Sequence, residues 1–115
     1  MVTTLPPLYG VTGEIDYHIH YPVTTNNSEA YLDIKNAATA VVGADNVKTG
    51  VEPSMASEDF SFMSQQVKGA YFWLGVDGNE PSKPLHNPAY DFNDDAIEIG
   101  IKVWVSLVES VLGTA

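Results

Sequence analysis

Three groups of residues in this chain are of types that do chemistry. The first is a single histidine held between two prolines, in Lys83-Pro84-Leu85-His86-Asn87-Pro88-Ala89-Tyr90-Asp91-Phe92-Asn93-Asp94. A neutral imidazole is a good ligand for zinc and similar ions, and a loop stiffened at Pro84 and Pro88 would fix its direction. The residues alone leave a ligand role and a purely structural role both open for His86. The second group is Asp16, His18 and His20. On a strand these three project together, and His-x-His with a carboxylate is a transition-metal geometry. The solvated face of an edge strand accounts for the same residues, and nothing nearby completes a ligand set. The third is Ser57-Glu58-Asp59-Phe60. Its carboxylates either serve the start of a helix, where the dipole favours negative charge, or are presented at the edge of a site.

The elements that position these groups follow from the apolar pattern. Val11 to Tyr21 alternates, with Val11, Ile15, Tyr17, Ile19 and Tyr21 on one face and Asp16, His18 and His20 on the other, which predicts a strand with one wet face. Pro6-Pro7 before it should block helix, leaving residues 1–10 as linker or frayed end. After a polar joint, Ala30, Tyr31, Ile34, Ala37, Ala38, Val41 and Val42 recur at helical spacing, with Asn27 or Ser28 as cap and Gly43 as stop. Asn46 to Val51 reads as a short strand.

Further on, Ser57 should cap a helix carrying Phe60, Met63 and Val67. Gly69 to Val76 is apolar without alternation, as a central strand covered on both faces would be. A turn at Asp77-Gly78-Asn79 leads through Pro81 and Pro84 to His86. Asn93 caps a last helix with Asp94 and Asp95 in its first turn. Its expected buried face is Ile97, Ile101, Trp104, Val108, Val111 and Leu112, widened by Val103 and Leu107. Glu98 and Lys102 pair on its surface. Strand and helix alternate after residue 27, so the expected class is α/β: a mostly parallel sheet flanked by helices, preceded by one amphipathic strand from another layer.

The bulk properties bound the functions. The chain has 115 residues, enough for one core. Five basic and fifteen acidic residues give a net charge of −10, which disfavours nucleic acid and anionic membranes as partners. With no cysteine, thiol catalysis and thiolate metal sites are excluded. The first residues lack the basic and apolar regions of a signal peptide, so a cytoplasmic setting is the expectation.

Four stretches together resemble a known family. They are Asp16-Tyr17 through Tyr21-Pro22 to Asn26; Met55-Ala56-Ser57-Glu58-Asp59-Phe60; Gly69-Ala70-Tyr71 with Leu74-Gly75; and Leu85-His86-Asn87-Pro88 through Tyr90-Asp91-Phe92-Asn93-Asp94, then Gly100. In order and spacing they are similar to the C-terminal part of the metal-dependent amidohydrolases: hippurate hydrolase, the N-acyl-amino-acid deacylases and related aminoacylase/carboxypeptidase enzymes. The resemblance implies a two-domain enzyme holding two divalent metals, usually zinc, sometimes manganese, cobalt or nickel. It implies that residues 1–22 carry the last strand of a lid, or dimerisation, domain, that 23–27 are the hinge back, and that 28–115 are the final part of the catalytic domain. On that map His86 is a metal ligand, Glu58 and Asp59 support the site, and Asn26 faces the substrate. The family's other ligands and its general-base glutamate have no counterpart here, so the segment alone should be inactive and hold metal weakly. The substrate of the complete enzyme would be an N-acyl amino acid or small peptide. The alternative is a stand-alone, non-catalytic module working by binding or self-association, and a homo-oligomer is expected on either reading.

Overall fold

The computed structural model describes residues 1–78 and 83–113. Its elements run in the order of a 3-10 helix at Pro6–Tyr9, helix α1 (Ser28–Val42), a 3-10 turn at Ala44–Asn46, helix α2 (Phe60–Ser64) and helix α3 (Asp95–Leu112). No strand occurs among the described residues, which overturns the expected α/β sheet and its preceding amphipathic strand. The physical reason is that a strand exists only as one side of a hydrogen-bonded ladder. In the 69–76 stretch the Gly69 carbonyl accepts from Asn27 N, both Tyr71 backbone groups bond the Asn26 side chain, and the Val76 carbonyl accepts from Asn93 N. Those partners are helix caps and a joint, not a neighbouring strand. In the 11–21 stretch the expected inner face has nothing to face: Ile15, Tyr17 and Ile19 are all largely exposed. The short strand expected at Asn46–Val51 is likewise replaced by the 3-10 turn and an irregular passage with Gly50 at φ 67.

Helix α1 begins where expected. Asn27 is extended, and its Oδ1 accepts from Glu29 N at 3.0 Å and Ala30 N at 3.2 Å, satisfying two of the orphan donors of the first turn. Gly43, at φ 81, ends the helix. At the start of α3 the Asn93 side chain accepts from Asp95 N at 3.1 Å, but the N-cap itself falls one residue later, at Asp94, whose side chain makes no capping bond. Glu98 and Lys102 pair at 2.6 Å one turn apart. Two other starts differ. Pro6 and Pro7 open a 3-10 helix instead of blocking it, because proline is tolerated where an N–H has no partner anyway. Near Ser57, Phe60 N donates to the Glu58 carboxylate, and α2 stops after Ser64, short of Val67.

The core lies between α1 and α3, which pack along each other. Its buried apolar residues are Ile34 and Ala37 on α1 and Ala96 and Val103 on α3. On α3 the covered stripe runs Ala96, Gly100, Val103, Leu107, a 4-3-4 spacing. The stripe expected from the largest side chains is rotated off this seam: Ile97, Ile101, Trp104, Val108 and Val111 are each more than half exposed. Small residues win the seam because they let the helices approach closely. A Cβ added at Gly100 would stand 3.2 Å from Leu74 Cδ2, so the glycine also makes room for the 69–76 stretch.

That stretch lies between α2 and α3 and turns alternate side chains to each. Phe72 stacks 5.7 Å from Trp104, and Leu74 meets Gly100. Tyr71 lies 5.5 Å from Phe60 and edge-on to Trp73 at 5.8 Å. The expected covering on both sides is only partial: Gly69 to Phe72 and Val76 are half-buried, while Trp73 and Leu74 are exposed. The turn expected at Asp77-Gly78-Asn79 and the passage through Pro81 fall partly or wholly outside the described residues. The whole is extended: its radius of gyration is 20.3 Å, against about 13 Å for a compact domain of this length.

Candidate functional site

His86 sits in a pair of successive turns. Asn87 N donates to the Pro84 carbonyl at 3.1 Å, closing the first turn with His86 in third position. Tyr90 N donates to the Asn87 carbonyl at 2.9 Å, closing the second with Pro88 in second position, and Ala89 N donates to Asn87 Oδ1 at 2.9 Å. Each proline falls at or beside a hydrogen-bonded turn, as a rigid loop requires. His86 has φ 69 and is the one non-glycine residue with positive φ among those described. The third position of a type II turn demands this conformation and is normally glycine or asparagine. Histidine tolerates it better than most side chains but still at a cost on the order of 1 kcal/mol. The ring is exposed.

No group of three or more His, Cys, Asp or Glu side chains capable of holding a metal ion is found among the described residues. A catalytic zinc takes three protein ligands. The donors described on this chain therefore do not fit a complete metal centre, and His86 can contribute one ligand at most.

Glu58 lies at the start of α2. Its Oε1 accepts from Phe60 N at 3.2 Å and its Oε2 from the Tyr71 hydroxyl at 3.0 Å, while its carbonyl accepts from the fully buried Ser61 hydroxyl at 2.6 Å. The Phe60 N–H, then hydrogen bonds from Asp59 and from the Tyr71 hydroxyl, hold the Glu58 carboxyl below the ordinary glutamate range. Tyr71 is pushed the other way, because its proton is shared with that carboxylate. Glu58 is thus the anchor of the α2 loop to the 69–76 stretch, and Asp59 is exposed beside it. Because the folded value is depressed, the stabilisation from this anchor is complete above the unfolded value and is lost as pH falls through the folded one. Tyr71→Phe is expected to raise the Glu58 titration midpoint without restoring it fully, since the larger Phe60 N–H contribution stays; carbon-detected NMR titration of the carboxyl checks this. A midpoint unmoved by the substitution would show that the phenol does not hold the carboxylate.

Asn26 clamps the joint. Its Nδ2 donates to the Tyr71 carbonyl at 2.9 Å and its Oδ1 accepts from Tyr71 N at 2.8 Å. The side chain imitates the pairing of a strand, and with the bond from Asn27 N to the Gly69 carbonyl at 2.9 Å it fixes the entry to α1. Lys68 adds an ion pair to Glu29. At the other end of the chain His18 Nε2 meets Asp16 Oδ1 at 2.8 Å, and the His18 and His20 rings lie 6.1 Å apart. This pair is solvent-exposed, and the three side chains do not form a metal-holding group.

The structure thus joins Glu58 and Asn26 through one residue, Tyr71, whose hydroxyl meets the first and whose backbone N–H and carbonyl meet the second. Sequence reasoning missed Tyr71. The available signal was a phenol inside an otherwise apolar run, whose O–H must find a partner when the ring packs.

Residues 8–110 match the family profile described as Peptidase family M20/M25/M40. The hippurate hydrolase of Campylobacter jejuni is 40% identical over 81 residues, covering 70% of this chain and 20% of that protein. The IAA-amino acid hydrolase ILR1-like 5 of Arabidopsis thaliana is 30% identical over 95 residues, 80% of this chain and 21% of that protein. The N-acetyldiaminopimelate deacetylase of Oceanobacillus iheyensis is 29% identical over 104 residues, 89% of this chain and 26% of that protein. The chain therefore spans about a quarter or less of the length of these relatives. No solved structure matches it.

Proposed function

Because the chain belongs to peptidase family M20/M25/M40, we propose that it is the C-terminal part of a hydrolase that cleaves the amide bond of N-acyl amino acids or small peptides. The observation that carries this reading is the match over residues 8–110, a range that takes in both the Glu58-Asp59 stretch and the His86 loop. The relatives named as hydrolases and deacetylases of acylated amino acids support the substrate class.

In this reading His86 gives one ligand to a divalent ion, zinc or else manganese, cobalt or nickel, whose remaining ligands come from elsewhere in the enzyme. The ion would supply an activated water. The described residues of this chain hold no such centre by themselves. What the chain contributes is position: the two turns fix the His86 backbone, Glu58 and Asp59 place negative charge beside the site, and Asn26 sets the joint against Tyr71 near the substrate. No helix among the described residues is long and apolar enough to cross a membrane.

The test is direct. The purified 115-residue chain, supplied with zinc or manganese, is expected to release no benzoate from hippurate by chromatographic assay; steady turnover would overturn the division of the site between this chain and the rest of the enzyme. One observation favours a second reading, a non-catalytic module that acts by self-association: the exposed apolar face of α3. Light scattering across a concentration series tests it, a fixed dimer or higher homo-oligomer being the result that reading requires.

A further inference from the structure

Helix α3 is apolar on two sides. One stripe, Ala96, Gly100, Val103 and Leu107, is turned in, with Ala96 and Val103 buried and Gly100 and Leu107 half-buried. The other, Ile97, Ile101, Trp104, Val105, Val108 and Val111, is half or more exposed along the whole helix. Beside it an open groove of about 450 Å³ runs between α3 and the start of α1, with Ile34, Phe60 and Ala70 in its wall. Only the third side of α3, with Asp95, Glu98, Lys102 and Glu109, is polar, so a second apolar stripe left in the open lacks a layer to pack on.

The amount of uncovered surface says what the second layer is. The chain exposes 9725 Å². A folded monomer of its 12.5 kDa exposes about 6,200 Å², so roughly 3,500 Å² is in excess. A standard interface covers about 800 Å² per partner, so a second copy docked in the usual way would leave most of the excess bare. Each copy would also bring a charge of −10 to the other. The relatives named above are four to five times as long as the stretch this chain matches, so the rest of their fold is large enough to cover it.

We propose that the Ile97–Ile101–Trp104–Val108 face of α3 is the surface on which the remaining part of the M20/M25/M40 fold docks, through an apolar layer of its own. This rests on the family reading but not on the activity. The chain has no cysteine, so Ile101→Cys places a single thiol on the face. Alkylation of that thiol is followed by peptide mass mapping in two settings: the isolated 115-residue chain, and a chimera in which the full chain replaces the stretch it matches in the Campylobacter jejuni hippurate hydrolase.

The expected result is free reaction in the isolated chain and at least tenfold slower reaction in the chimera. In the same chimera Trp104→Glu should abolish soluble expression. Three outcomes overturn the proposal: a thiol equally reactive in both; an isolated chain that sediments as a discrete dimer with the thiol protected, which makes a second copy the occupant; or a chimera that is insoluble with Ile101 and Trp104 intact, because the face then does not fit the layer the family presents. A chimera that protects the thiol but does not cleave hippurate would leave the docking surface standing and count against the proposed function. A chimera that cleaves hippurate yet tolerates Trp104→Glu would do the reverse.

Discussion

Replacing His86 by alanine in the hippurate hydrolase chimera is expected to lower turnover by more than about 100-fold, since even partners that only orient a metal ligand are worth 10–100-fold in affinity or activity. The backbone makes this prediction separable from a general loss of structure. His86 is held at φ 69, where glycine is at ease and other side chains are strained. His86→Gly should therefore raise the unfolding free energy, by about 1 kcal/mol, while removing the same activity. His86→Ala keeps the strain and loses the ring. If glycine stabilises and both variants are inactive, the strain is retained for the imidazole. If either variant keeps near-native turnover with hippurate, the ring is not a ligand and the loop is only a connection. Denaturant unfolding and steady-state kinetics on the same three proteins decide it.

What could be read from the sequence was what depends on neighbours in the chain. The cap at Asn27, the Asn93 hydrogen bond to the first turn of α3, the stop at Gly43 and the Glu98–Lys102 pair all arise within about one turn of helix, and all are present. The family resemblance was legible for a related reason: it rests on the order of short motifs, which needs no fold to be seen, and residues 8–110 belong to that family. The sheet was not legible in this way, because a strand is a relation between two segments. The stretches 11–21 and 69–76 have strand-like composition, yet the described residues place no neighbouring strand beside either.

The rotated face of α3 failed for another reason. With apolar residues on two sides of the helix, the pattern marks the bulkier stripe, whereas the stripe that packs on α1 is the one that carries the small Ala96 and Gly100. The Glu58–Tyr71–Asn26 connection was invisible because its members lie 13 and 45 residues apart. The pattern assigned Tyr71 to the core by its neighbours, and only the hydroxyl hinted otherwise.

The seam between α1 and α3 carries the last and structurally largest effect. Val103 is 2% exposed, and among the described residues the other buried apolar side chains are Ile34, Ala37 and Ala96. With so few buried side chains, each one matters in proportion. Val103→Asp removes a side chain whose burial is worth about 1.5–3 kcal/mol and puts an unpaired carboxylate in its place, at a further cost of several kcal/mol unless it stays protonated. No Lys or Arg lies on the α3 seam stripe to pair with it. The sum exceeds what two helices with four buried apolar residues hold in reserve, so the isolated chain should lose most of its helical circular dichroism near neutral pH and recover part of it as the pH falls and the carboxyl protonates. Ile101→Asp, two residues away on the open face, should leave most of the helical signal in place, because Ile101 is 59% exposed and gives up far less contact than Val103. The comparison of these two aspartates on one helix separates the face that holds this chain together from the face that waits for another layer. Equal loss from both would mean that the isolated chain does not keep the α1–α3 pairing, and equal tolerance would mean that the seam is not what holds it.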